Sequence, residues 1–191
     1  CHNCSSNLRL KGGIVDLNSF IANSVPVALG IDEAGINDDR DMLQEMRLAL
    51  TLHRPPGHES PSPTAAEILK MATENGAATT PFSEKIGRLV PGRMADIVLL
   101  DWTTITWPYQ DINIPIVEVL IRRARREAVH TVIIDGEIIY QQGRFMQVDQ
   151  NSILENINQE LTRIDTVEEA RLRALAVKIM PVLSRFYKDW Y

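Results

Sequence analysis

The chain has 191 residues and a net charge of −5, with 45% hydrophobic and 24% charged residues. Such a composition can bury a core and is not that of a disordered chain, and its acidic balance argues against a general nucleic-acid binder. The longest apolar runs are about four residues, such as Ile97 to Leu100, far short of the roughly 20 needed to span a bilayer, so neither a membrane nor a nucleic acid is expected as a partner.

The numbering opens on Cys1-His2-Asn3-Cys4 without an initiator Met, signal peptide or basic leader, which reads as a processed chain or a fragment. Cys1 and Cys4 are the only cysteines. Cys1-x-x-Cys4 with His2 between resembles a redox or zinc motif, but structural zinc usually takes four ligands and no second pair exists. Two reduced cysteines in a cytoplasmic protein are the preferred reading.

Residues 3–13 have the small, polar content of a loop closed by Gly12 and Gly13. Ile14, Leu17, Phe20 and Ile21 fall at helical spacing and predict a helix over 14–23. Val25 to Ile31 is a short apolar run without alternation, the pattern of a strand buried on both faces in a parallel sheet. An acidic loop from Asp32 to Asp41 follows, and a helix starts near Asp41 with Met42, Leu43, Met46, Leu50 and His53 along one side. Pro55, Pro56, Pro61 and Pro63 mark an exposed connection. Thr64-x-x-Glu67 is a capping box opening a helix to about Asn75, with Gly76 at its C′ position.

The character changes near Gly87. A turn-rich stretch leads into a short buried strand at Ile97–Leu100, then an aromatic loop from Trp102 to Pro115 and a helix over 116–127. Val129–Ile134 and Glu137–Tyr140 flank Asp135-Gly136, a strong hairpin signal. Ser152-x-x-Glu155 and Thr166-x-x-Glu169 open two closing helices, the second with an apolar stripe of Leu172, Leu175, Ile179 and Leu183 and a kink expected at Pro181.

The first third resembles the closing βα unit of a parallel α/β barrel. A whole barrel needs eight such units and about 250 residues, so only its C-terminal part fits here. Asp32 stands at the C-terminal end of the buried strand, the end that carries chemistry in such barrels. There a carboxylate can bind a divalent metal and exchange a proton with water, although a surface Asp or a helix cap is the plainer reading. Asp38, Asp39 and Asp41 precede a helix and are read as capping and solvation. The loop lacks the ligand pattern of an EF-hand. The histidines do not form a site by themselves: His53, at a helix end, is read as structural, His58 and His130 show no metal-partner spacing, and His2 is close to the expected catalytic face but at a cut end. Arg122, Arg123, Arg125 and Arg126 are read as the solvated face of the 116–127 helix. No phosphate loop or nucleophile elbow is present.

Several segments together resemble the amidohydrolase superfamily, in its cytosine deaminase-like, guanine deaminase and triazine hydrolase branch. His2-Asn-Cys-Ser-Ser-Asn-Leu-Arg-Leu10 is similar to that branch's His-x-Pro-x-Ser-Asn-Leu-x-Leu after the seventh strand. Val27-Ala-Leu-Gly-Ile-Asp32 is similar to Val-x-Leu-Gly-Thr-Asp of the eighth, and Asp41 to Arg47 matches the helix that follows. Ile86 to Asp101 resembles Ile-Gly-Ser-Leu-x-Pro-Gly-Lys-x-Ala-Asp-Leu-Val-Leu-Leu-Asp, and Val132 to Gly136 resembles a later Val-x-Val-Asp-Gly turn. Departures are Cys4 for Pro, Ile31 for Thr, and Glu33 where a smaller residue is common.

The resemblance implies an α/β fold: the C-terminal part of a TIM-type (β/α)8 barrel over 1–86, strands of a small flanking β-sandwich over 87–150, and C-terminal helices over 151–191. It implies that Asp32 is a metal ligand and the catalytic proton acceptor. Glu33, and more weakly Asn7, would touch a small heterocyclic substrate that loses an amino or related group by hydrolysis. The divalent metal of the complete enzyme would be zinc first and iron second. The family's histidine ligands would precede residue 1, so the chain alone is expected to be inactive and metal-free. Exposed strand edges and apolar helix faces favour a homo-oligomer. The alternative is a non-catalytic remnant or an assembly module.

Overall fold

The structure is a computed structural model that describes residues 1–33, 35–36, 39–163 and 165–188. The chain forms two compact units, Cys1–Gln147 and Val148–Tyr191.

In the first unit, α1 (Cys4–Arg9) and α2 (Leu17–Ala22) precede α3 (Met42–Leu52), α4 (Ala65–Ala72) and α5 (Glu74–Ala78). The expected loop over 3–13 is thus partly helical. Its serines look like loop residues because their hydroxyls usually compete for nearby backbone, but Ser6 spends its hydroxyl on the distant Ile31 carbonyl at 3.0 Å. Cys4 and Ser6 are buried. The predicted 14–23 helix begins later, where Asp16 accepts from the Ser19 amide as N-cap.

The predicted buried strand is less regular than expected. Val27, Ala28 and Leu29 are buried, yet among the described residues their only ladder is an isolated parallel bridge between His2 and Leu29. The His2 amide donates to Ala28 O at 2.8 Å, and the Gly30 amide donates to His2 O at 3.0 Å. On its other edge the Leu29 amide donates to Met71 O at the end of α4, and Asn75 Nδ2 donates to Val27 O at 2.7 Å. The segment is therefore held by a helix end rather than by a second strand. Leu29, Met46, Leu50, Ile68 and Met71 pack together in the main core.

Asp41 caps α3 by accepting from the Leu43 amide at 2.9 Å, as the acidic loop predicts, and Asp39 accepts from Gln44 Nε2; Asp38 lies outside the described residues. Thr64 and Glu67 form the full capping box of α4. Gly76 is not a C′ residue. The break falls at Thr73 (φ −118°, ψ −86°), and Gly76 lies inside α5.

Beyond Gly87, β1 (Ile97–Leu100), β2 (Val129–Ile134), β3 (Glu137–Gln141) and β4 (Arg144–Phe145) form an antiparallel sheet in sequential order. The β2–β3 hairpin turns at Asp135 (φ 49°) and Gly136 (φ 85°), both in the left-handed region that a two-residue primed turn requires. β1 was expected to be buried, but Val98 and Leu99 are 56% and 48% exposed. The aromatic loop contains α6 (Trp102–Thr106), and the predicted 116–127 helix stops early: α7 spans Ile116–Arg123 and a 3-10 turn spans Arg126–Ala128. The arginines here are more occupied than a solvated face would be. Arg123 reaches the carbonyls of Trp107 and Tyr109 and Gln110 Oε1, while Arg122 pairs with Glu118 at 2.8 Å.

In the second unit, α8 (Gln150–Thr162) starts on Asp149, which accepts from the Asn151 and Ser152 amides, ahead of the expected Ser152 signal. The second helix, α9 (Val167–Tyr187), opens on the Thr166/Glu169 capping box and runs through Pro181. No helix among the described residues is long and apolar enough to cross a membrane.

Candidate active site

Asp32 follows directly on the segment that bridges to His2. Its backbone has φ 59°, a left-handed conformation that aspartate tolerates better than most side chains. The side chain is exposed. Glu33 is also exposed, and its carboxylate accepts from the Gly35 amide at 2.8 Å. That bond folds Glu33 back on its own turn. Asn7 sits partly buried on α1, next to the Ser6 hydroxyl that holds Ile31 O. The fold thus brings α1 and the Asp32 turn to one end of the same segment. Among the described residues, Asp32 belongs to no cluster of metal-ligating side chains. One carboxylate does not hold a divalent ion, since catalytic zinc takes three protein ligands. The described residues around Asp32 therefore do not form a metal site of their own.

A different cluster is present. His2, Cys4 and His53 are all buried, and one ligand atom from each lies within 4.8 Å of the others. His2 Nε2 is 2.9 Å from His53 Nε2 and 3.1 Å from Cys4 Sγ. Burial, then the neighbouring His53, then the chain's amino terminus push His2 down to about 4, so its ring is neutral at pH 7. Burial also lowers His53, against a smaller opposing pull from Asp16. Burial and then the Glu45 charge push the Cys4 thiol up to about 12. Glu45 itself is fully buried on α3, and accepts from the Ser5 amide at 3.1 Å. Both cysteines are free.

The sequence shows no spacing that would bring His2 and His53 together, yet the structure places them side by side. They are 51 residues apart in sequence, and only the packing of α3 against residues 2–4 unites them. The two cysteines of Cys1-x-x-Cys4 are not brought together as a pair: Cys1 is exposed and faces Asn3 Oδ1, while Cys4 is buried beside His2.

The chain matches the amidohydrolase family over residues 1–139. It is 35% identical over 165 residues to a 5-methylthioadenosine/S-adenosylhomocysteine deaminase of Acetivibrio thermocellus, covering 85% of this chain and 37% of that protein. It is 33% identical over 155 residues to a 5'-deoxyadenosine deaminase of Methanopyrus kandleri, covering 81% of this chain and 35% of the relative. Among solved structures, an adenosine deaminase from Xanthomonas campestris with bound zinc aligns at TM-score 0.75 and 30% identity, over 83% of this chain and 35% of that one. An atrazine chlorohydrolase from Arthrobacter aurescens shares the fold at TM-score 0.68 and 24% identity, over 83% and 34% of the two chains. The chain thus spans little more than a third of the length of these relatives. With most of its residues matched, and in the order that the sequence motifs set, the chain belongs to the amidohydrolase family.

Proposed function

We propose that this chain is the C-terminal part of a metal-dependent deaminase, contributing Asp32 as metal ligand and proton acceptor to a site completed by residues outside 1–191. The observation that carries this reading is the place of Asp32: it ends the segment that bridges in parallel to His2, within the stretch matched to the family. In the reaction, a water oxygen bonds to a ring carbon, the carbon–nitrogen bond breaks and ammonia leaves. A bound metal would supply acidity to that water. Asp32, exposed at the end of its segment, would accept the water's proton. Glu33 and Asn7 would contact the substrate, an adenosine-derived heterocycle of the kind named for the relatives. Zinc is the first choice of metal, since the Xanthomonas structure contains it.

The test uses the longer protein that contains this chain, assayed for ammonia release from 5'-deoxyadenosine and methylthioadenosine. Asp32→Asn should lower kcat/KM by roughly 10²–10⁴-fold, while Glu33→Gln should mainly change the ranking of substrates. Full activity in Asp32→Asn would sink the assignment. The isolated chain should show no turnover, and measurable turnover there would equally count against it.

A further inference from the structure

The cluster of His2, Cys4 and His53 has a feature that ordinary hydrogen bonding does not account for. His2 Nε2 faces both His53 Nε2 at 2.9 Å and Cys4 Sγ at 3.1 Å. A single neutral ring nitrogen is either donor or acceptor. If it accepts, its one lone pair faces two neighbours; if it donates, one proton must serve two acceptors. Three lone-pair atoms converging in a buried space are better satisfied by one cation than by protons.

We propose that His2 Nε2, Cys4 Sγ and His53 Nε2 form a buried structural site for a thiophilic divalent ion, zinc in the first place, distinct from the Asp32 site. The donor set is two imidazoles and a thiolate, which suits zinc and disfavours magnesium or calcium. Zinc bonds of about 2.0–2.3 Å at tetrahedral angles need ligand atoms roughly 3.3–3.6 Å apart. His53 Nε2 and Cys4 Sγ each lie a few tenths of an ångström closer than that to His2 Nε2 and must swing slightly outward. One of the four positions is left to water. Binding converts the Cys4 thiol to a thiolate bonded to the metal and releases its proton to solvent.

None of the three ligand residues is one proposed for the deamination. His2 lies opposite Leu29 in the parallel bridge, and Leu29 packs in the core with Met46 and Leu50 of α3. His53 is the C-cap of α3 and Cys4 the first residue of α1. An ion here ties residue 2, α1 and α3 together. This departs from the expectation of a metal-free chain, which considered Asp32 and the missing family histidines alone.

The chain, stripped of metal with a chelator, is titrated with Co²⁺ and followed by absorption. One equivalent should bind, with a thiolate-to-cobalt charge-transfer band and the visible absorption of a tetrahedral ion, and Zn²⁺ should displace it. The band should persist in Asp32→Asn and in Cys1→Ser and vanish in Cys4→Ser. His53→Gln should bind at least about tenfold more weakly, since even outer partners of a metal ligand matter by that much. If Cys4→Ser does not fold, X-ray absorption of the zinc-loaded unmodified chain decides: one sulfur and two imidazoles are expected. No charge-transfer band in the unmodified chain, a purely nitrogen and oxygen shell, or binding that is lost in Asp32→Asn would each overturn the proposal. Because Asp32→Asn is read separately for metal and for turnover, failure here leaves the deaminase reading untouched, and the reverse also holds.

Discussion

Arg47 reaches from α3 to the end of α7, where Nε donates to Arg122 O at 3.2 Å and Nη2 donates to Ala124 O. A helix end leaves its last carbonyls without intrahelical donors, and here they are met by the Arg47 guanidinium from 75 residues away and by the neighbouring Arg125 Nη1. Ala124 is fully buried, so removing Arg47 leaves its carbonyl with only the Arg125 Nη1 contact at 3.2 Å. Arg47→Ala should therefore lower stability by about 1–3 kcal/mol. Arg47→Lys should recover little of it, because one ammonium does not span both carbonyls as the fork does. Urea unfolding followed by tryptophan fluorescence checks both; equal midpoints for Arg47→Ala and the unmodified chain would remove the capping role. Arg47 from α3 and the local Arg125 thus both meet the carbonyls where the expected 116–127 helix ends four residues early.

At the level of elements, what was legible was what is local. Thr64 with Glu67, Thr166 with Glu169, and Asp135-Gly136 each fix their structure within four residues, by side-chain capping or by a turn that demands positive φ. What was not legible depends on distant partners. In α1, Ser6 bonds to the distant Ile31 O, and the segment before Asp32 has, among the described residues, one bridge on one edge and the contacts of Met71 and Asn75 on the other. The site divides in the same way. Asp32 could be placed from the order of motifs, whereas His2 and His53 meet only through packing.

The Thr166/Glu169 box also makes a pH prediction. Glu169 accepts from Arg163, and from the amide and hydroxyl of Thr166 at 2.7 and 2.8 Å. The Arg163 bond first, then the Thr166 bonds, hold its carboxyl down at about 2, against an ordinary 4.5. A folded-state pKa below the unfolded value stabilises fully above the unfolded value and is lost as pH falls through the folded one. The start of α9 should thus loosen between about pH 4.5 and about 2. NMR of the Glu169 carboxyl carbon should titrate near the lower value, together with the amides of Val167 to Ala170. In Glu169→Gln those amides should show no such acid transition. Titration of the unmodified carboxyl near 4.5 would remove the prediction.

On the scale of the whole molecule, the two units differ in what can hold them. The first has a core around Leu29, Leu50 and Ile68. In the second, neither α8 nor α9 has a buried residue, and Leu161, Val167 and Val177 are 78%, 89% and 72% exposed. Its described supports are caps and surface ion pairs, such as Arg163 with Glu160 and Arg173 with Asp165. Exposed pairs contribute only about 0–1 kcal/mol each, and helices without tertiary packing are marginal in water. In dilute solution, the amides of 150–187 should therefore exchange with deuterium roughly a hundredfold or more faster than those of Ala49, Leu50 and Ile68, because local opening costs little where no apolar face is buried. Equal protection at the lowest concentration would contradict that. The stripe of Leu172, Leu175, Ile179 and Leu183 is also the surface a second copy would cover in the expected homo-oligomer. Association buries apolar area only when copies meet, so protection of 150–187 should rise with protein concentration while that of Ile68 stays fixed. Protection of the two helices that does not change across a hundredfold range of concentration would count against association through this stripe.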